Sequence, residues 1–122
     1  KVFSEVDDLI VLGDEESLTR AFNNLISNAV EASEDAETEE PVLIKSSPKG
    51  KFIVISVKDH GVGIPKDKLN RIFEPRFTTK KHGLGLGLAM VKSIVEQANG
   101  EVEVHSSIGE GSSFSIKLLK GE

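Results

Sequence analysis

The chain has 122 residues, 38% hydrophobic and 29% charged, which suits one ordered domain around one core. Cysteine is absent, which excludes a disulfide framework and a thiolate metal site and fits a reducing compartment. A net charge of −5 argues against general nucleic-acid binding, and no apolar run is long enough to span a bilayer.

The chain opens directly in a strand-like pattern, Val2-Phe3-Ser4-Glu5-Val6, and reads as a piece of something longer. Leu9-Ile10-Val11-Leu12 is a short apolar run that predicts a buried strand, ended by Gly13. Asp14 is a good N-cap, and Glu15 and Glu16 suit a first helical turn. The helix is predicted to run to about Ser33, with Leu18, Ala21, Phe22, Leu25, Ile26, Ala29 and Val30 on its apolar face.

At about 100° per residue, Asn24, Asn28 and Glu31 form a stripe beside that face. Asparagine is a poor mid-helix residue because its side chain competes for backbone hydrogen bonds. Two readings compete. The pair is either two buried amides bonded to a neighbouring strand, or a place where one amide oxygen reaches a hard cation such as Mg²⁺, which takes few protein ligands beside phosphate oxygens.

Glu34 to Glu40 reads as an acidic surface loop. Val42-Leu43-Ile44 starts a strand, Pro48-Lys49-Gly50 predicts a turn, and Lys51 to Lys58 predicts the returning strand. Phe52 and Val54 lie on one face of that strand and Ile53, Ile55 and Val57 on the other, the pattern of a central strand. It runs into Asp59-His60-Gly61-Val62-Gly63-Ile64-Pro65. The segment is either an ordinary strand-to-helix turn capped by Asp59, or a binding loop whose carboxylate accepts from an exocyclic amine while the glycines let a flat ring lie on the backbone. His60 reads as an exposed neighbour of that loop rather than a catalyst.

Lys66 to Phe73 predicts a short helix after Pro65, and the polar, basic segment from Glu74 to Lys81 predicts a loop. Between Lys66 and His82 six Lys/Arg residues face two acids, a local net of +4, so the remainder of the chain carries −9. The cluster is either a solvated loop or a device that attracts anions. It leads into Gly83-Leu84-Gly85-Leu86-Gly87-Leu88, where a helical pattern begins through Val91, Ile94, Val95 and Ala98. These glycines are either a hinge before a core helix or a phosphate site, since they permit close backbone approach next to the unpaired amides of a helix start. Asn99-Gly100 predicts a C-cap. Glu101 to Val104 and Phe114 to Leu118 alternate as two half-exposed strands joined by a turn at Gly109-Glu110-Gly111. The glycine run follows a polar loop rather than a strand and lacks the G-x-G-x-x-G spacing, and no G-x-x-x-x-G-K-[ST] loop occurs, so a doubly wound or P-loop nucleotide fold is disfavoured.

Together these segments resemble the ATP-binding catalytic domain of sensor histidine kinases, in the wider family that includes gyrase, the Hsp90 chaperones and MutL. Asn24-Leu25-Ile26-Ser27-Asn28-Ala29 is similar to the N box. Asp59-His60-Gly61-Val62-Gly63 is similar to the first glycine box, D-x-G-x-G, and Arg71-Ile72-Phe73-Glu74-Pro75 with Phe77 to the F box. Gly83 to Leu88 is similar to the second glycine box, and Gly109-Glu110-Gly111-Ser112-Ser113-Phe114 to the closing G-x-G-[TS]-x-F. The short lid with Phe77-Thr78-Thr79-Lys80 resembles the nitrogen-regulation type. The departures are His60 where Asn is commoner, Arg76 where an aromatic is frequent, and Leu84 where Thr or Ser is common.

The resemblance implies a two-layer α/β sandwich, a mixed sheet with about three helices on one face, of the Bergerat type, over residues 1–122. It implies ATP and Mg²⁺ as cofactors. Asn28 would ligate the metal, with Asn24 near the phosphates. Asp59 would bind the adenine amino group in a pocket shaped by Gly61 and Gly63. Lys80 would approach the terminal phosphate, and the backbone around Gly83, Leu84, Gly85, Leu86 and Gly87 would wrap the phosphates. Asn28 and Lys80 are therefore the predicted catalytic residues.

In the ATP-hydrolysing cousins an acid one helical turn before the metal-binding Asn serves as general base. That position is Asn24 here, which accepts no proton usefully, so weak ATP hydrolysis is expected. The γ-phosphoryl would pass to a histidine on a separate dimerisation segment and then to a response regulator. His60, His82 and His105 lie on no helical acceptor motif, so the isolated domain is expected to be monomeric and to need that segment for transfer. A nucleotide-gated binding module and a stand-alone ATPase are the rival readings, opposed by Asn28, Asp59 and Lys80 together and by Asn24, respectively. A cytoplasmic location is expected, with room for a membrane anchor elsewhere in a full-length protein.

Overall fold

A computed structural model describes residues 2–5, 11–74 and 87–121. Strand β1 is Val2–Glu5, helix α1 Glu15–Asp35, β2 Val42–Lys49, β3 Phe52–Lys58, helix α2 Gly87–Gln97, β4 Glu101–Ser107 and β5 Gly111–Leu119. The five strands form one sheet in the order β1-β2-β3-β5-β4. β1 runs parallel to β2, and every other pair is antiparallel. The sheet is therefore mixed, and β3 lies at its centre, as apolar residues on both its faces predict.

α1 begins where its cap chemistry says. The Asp14 carboxylate accepts from the Ser17 amide at 2.9 Å, two acids follow in the first turn, and the hydrogen bond holds the Asp14 carboxyl below its usual value. The helix extends two residues past Ser33. It ends with Glu37 at φ 55° and bonds from Thr38 N to Ser33 O and from Glu37 N to Glu34 O, a Schellman closure. α2 closes the same way: Asn99 takes the left-handed conformation at φ 61°, and Gly100 N reaches Val95 O at 2.9 Å.

The helices cover one sheet face. Leu18, Ala21, Leu25 and Ala29 of α1 and Val91 and Val95 of α2 pack with Val42, Val57, Phe114, Ile116 and Leu118 in one apolar core. The spacing on α1 is the predicted stripe of a half-buried helix. A fully buried Leu side chain is worth about 1.5–3 kcal/mol relative to exposure, so this face, with Leu25 2% exposed, holds α1 against the sheet.

Two α-helices stand among the described residues, in keeping with a sheet backed by helices on one face. Three expectations need correction. The stretch predicted as a short helix over Lys66 to Phe73 is a 3-10 turn at Lys66–Lys68 followed by turns. Its bonds, Lys68 N to Pro65 O, Arg71 N to Lys68 O and Glu74 N to Arg71 O, all span three residues rather than four. Buried Ile72 and the edge-to-face pair of Phe73 with Phe114, centroids 6.2 Å apart, fasten it to the core.

The turn predicted at Pro48-Lys49-Gly50 sits later, at Gly50-Lys51, and Pro48 pairs with Ile53 inside the ladder. Among the described residues β1 pairs β2 as far as Lys45, and a proline inside a strand is tolerated where its missing N–H is not needed by a neighbouring strand. Of the run predicted as a buried strand, Val11 makes an isolated bridge to Lys120 and Leu12 is exposed; Leu9 and Ile10 lie outside the described residues.

Candidate nucleotide site

One end of the site is the loop that leaves β3. Asp59 is buried, 4% exposed. The β3–β5 register places it beside Ser112: Asp59 N donates to Ser112 O at 2.8 Å, and Ser112 N donates to Asp59 Oδ1 at 3.1 Å. Gly61 N donates to the same oxygen at 2.9 Å. The capping reading of Asp59 is present in these bonds. Oδ1 caps the turn, and Oδ2 accepts no hydrogen bond from the described residues. A carboxylate oxygen is an acceptor by its chemistry.

The glycines of this loop are required by contact. Gly63 sits at φ 83°, and a Cβ on it would fall 2.2 Å from the Ser107 carbonyl oxygen. A Cβ on Gly61 would lie 2.8 Å from both Cβ and O of Ala32, so the loop rests directly on the last turns of α1. His60 is half-buried rather than exposed, and its Nδ1 is enclosed with no hydrogen-bond partner among the described residues, as is Ser33 Oγ.

The other end is on the middle of α1. Asn28 Nδ2 donates to Asn24 Oδ1 at 3.3 Å, both side chains half-buried. Asn24 also has a close neighbour at the start of the second helix. The neighbour is Gly87, the first residue of α2: a Cβ there would lie 2.5 Å from Asn24 Oδ1 and 2.7 Å from Nδ2. Only glycine lets the start of α2, with its unpaired amides, come this close to the asparagine pair. The donated hydrogen bond from Asn28 Nδ2 also fixes its Oδ1 as the atom with the chemistry of a hard-cation ligand.

α1 therefore carries both ends, Ala32 against Gly61 and Asn24 against Gly87. Eight residues at 1.5 Å each separate them by about 12 Å, the order of the span from base edge to terminal phosphate in an extended nucleoside triphosphate. Of the remaining predicted residues, Lys80, Gly83, Leu84, Gly85 and Leu86 lie outside the described residues. Two serines had no predicted role: Ser112, noted only as part of a motif, and Ser106, whose sole signal is a pair of serines ending an otherwise alternating strand.

A carboxylate loop and an asparagine pair on one helix, under a mixed sheet, define a two-layer α/β domain of the ATPase kind. The chain belongs to the histidine kinase-, DNA gyrase B- and HSP90-like ATPase family, whose model matches residues 13–122. It is 38% identical over 118 residues to sporulation kinase C of Bacillus subtilis, covering 97% of this chain and 27% of that protein. It is 42% identical over 108 residues to the sensor histidine kinase ZraS of Escherichia coli, covering 88% of this chain and 23% of that one. The chain thus spans about a quarter of the length of these curated relatives.

Among solved structures, the mycobacterial sensor histidine kinase MprB superposes with a TM-score of 0.87 at 26% identity, covering 98% of this chain and 81% of that one. Full-length ShkA in complex with AMPPNP superposes at 0.83 with 29% identity, covering 99% of this chain and 26% of that one. No helix among the described residues is long and apolar enough to cross a membrane.

Proposed function

We propose that this chain is the catalytic domain of a protein histidine kinase: it binds Mg-ATP, and the γ-phosphoryl goes to a histidine on a dimerisation segment of the same longer protein. The observation that supports the reading is that the Asp59 loop, through Gly61, and the start of α2, through Gly87, meet α1 eight residues apart, at Ala32 and at Asn24 of the asparagine pair. Membership of the ATPase family and kinship with named histidine kinases support it.

In this reading Asp59 Oδ2 accepts from the adenine amino group, and Gly61 and Gly63 give the ring a flat backbone wall. Asn28 holds Mg²⁺ through its amide oxygen, with Asn24 beside the phosphates. When bound, the ion neutralises charge on the phosphate oxygens. The amides at the start of α2 face the same charge, and Lys80 and the backbone from Gly83 to Gly87 complete the phosphate wrap. An imidazole nitrogen of the acceptor attacks the γ-phosphorus, the bond to the β–γ bridging oxygen breaks, and ADP leaves. The imidazole is itself the nucleophile, so the domain contributes mainly positioning and electrostatics. With Asn24 where a base would stand, water is poorly activated and hydrolysis is slow. The phosphoryl group then passes to an aspartate of a response regulator, in two-component signalling in the cytoplasm.

The test is transfer of label from γ-labelled ATP with Mg²⁺, with and without the cognate acceptor segment. Acid-labile label on the acceptor is expected. Nucleotide binding without transfer would reduce the domain to a binding module, and fast phosphate release without acceptor would overturn the reading of Asn24.

A further inference from the structure

The Ser106 hydroxyl is the meeting point of the base loop and the β4–β5 turn. Ile64 N donates to Ser106 Oγ at 2.7 Å, and Ser106 donates to the Gly111 carbonyl at 3.1 Å. The Ser112 hydroxyl lies 2.8 Å away. A serine has one proton and two lone pairs. With its proton on the Gly111 carbonyl, Ser106 accepts from both Ile64 N and the Ser112 hydroxyl, so its capacity is filled.

Each partner leads to Asp59. Ser112 N is one of the two donors that fix Asp59 Oδ1, and Ile64 closes the loop whose Gly61 N is the other. A further bond, Gly109 N to Val62 O at 2.8 Å, ties the same two segments; Asp59 does so through its carboxylate and Ser106 through its hydroxyl. None of these bonds reaches Asn24, Asn28 or Gly87.

We propose that Ser106 is a positioning residue for the nucleotide base. Its hydroxyl locks the Ser112 amide and the loop from Asp59 to Ile64 into one unit, and so aims Asp59 Oδ2 at the exocyclic amine. The inference rests on the reading of Asp59 given above. It has a specific consequence. The effect of losing the hydroxyl falls on the base end alone, so ADP and ATP weaken by the same factor, and the transfer rate at saturating ATP does not change.

The experiment is calorimetric titration of the chain with ADP and with ATP in Mg²⁺, for the unmodified protein and for Ser106→Ala, Ser106→Val and Ser106→Thr. Thr and Val have the same shape and differ by the hydroxyl, so packing is matched between them. The alanine and valine variants are expected to bind both nucleotides roughly tenfold more weakly, about the worth of one hydrogen bond in a partly buried site. Threonine is expected to restore binding. In the full-length kinase the same variants should raise KM for ATP and leave kcat unchanged. Equal affinities for the Thr and Val variants, or a loss confined to ATP, would overturn the inference. Failure of the unmodified chain to bind either nucleotide would instead overturn the assignment of the site.

Discussion

Replacing Gly87 with alanine tests the junction between the two helices. The new Cβ would lie 2.5 Å from Asn24 Oδ1, too close to tolerate, and the atom it meets is the end of a side chain that can turn away. Turning Asn24 off its rotamer costs about 0.5–1.5 kcal/mol. Losing the hydrogen bond from Asn28, already long at 3.3 Å, costs about 0.5–1.5 kcal/mol more. Alanine recovers up to about 1 kcal/mol as a better helix former than glycine. The net is a destabilisation of roughly 0–3 kcal/mol by these terms, read by urea unfolding. Mg-ATP affinity should fall by more than stability does, because the displaced amides belong to the phosphate end.

The decisive measurement is a double-mutant cycle with Asn24→Ala. With the asparagine gone the obstacle is gone, so Gly87→Ala should become neutral or stabilising in that background. A strictly additive cycle would refute the contact, and a Gly87→Ala protein with unchanged Mg-ATP affinity would refute the place of this junction in the site.

Three further outcomes follow from the same geometry. Asn28→Ala should abolish most of the Mg²⁺-dependent part of ATP binding and transfer; an equal loss when binding is measured in a chelator would remove its assignment as the metal ligand. Asp59→Asn keeps an oxygen for the Gly61 and Ser112 amides but turns the base-facing atom into a donor. ATP affinity should therefore fall by at least about tenfold while the fold survives, as read by titration beside a circular dichroism spectrum, and retained affinity would contradict the amine-acceptor role. Asp14→Ala should lower the melting temperature modestly by removing the cap of α1. The Asp14 carboxyl is held below its ordinary value of 3.8 by the hydrogen bonds from Ser17. Its contribution is thus complete above that pH and disappears as pH falls through the lower folded-state value, so the melting curves of the two proteins should converge in acid and stay apart at neutral pH.

The elements with a strong local signal were legible from the residues. Asp14 followed by two acids marks the start of α1 because capping is decided within one turn, and alternation along Glu101 to Val104 and Phe114 to Leu118 marks two strands because each has one buried face. Central placement of β3 was readable from apolar residues on both sides. What misled was punctuation whose meaning depends on neighbours. Pro48 looks like a turn residue until its pairing with Ile53 puts it inside the ladder, and Lys66 to Phe73 looks helical until Ile72 and Phe73 pull the backbone into tighter three-residue bonds.

The same division holds for the site. Residue types alone marked the segments as unusual, because an asparagine pair within a helix and glycines beside a carboxylate are each unfavourable or unneeded in ordinary secondary structure; that they converge was implied only by the resemblance of the whole set to a family. Only the tertiary structure decided the partners. Asn24 is explained by Gly87, 63 residues away along the chain, and the two oxygens of Asp59 acquire separate duties only when β5 delivers the Ser112 amide. Ser106 was invisible for that reason: a hydroxyl on a strand has no local signature, and its importance comes wholly from the three groups that folding brings within hydrogen-bond distance.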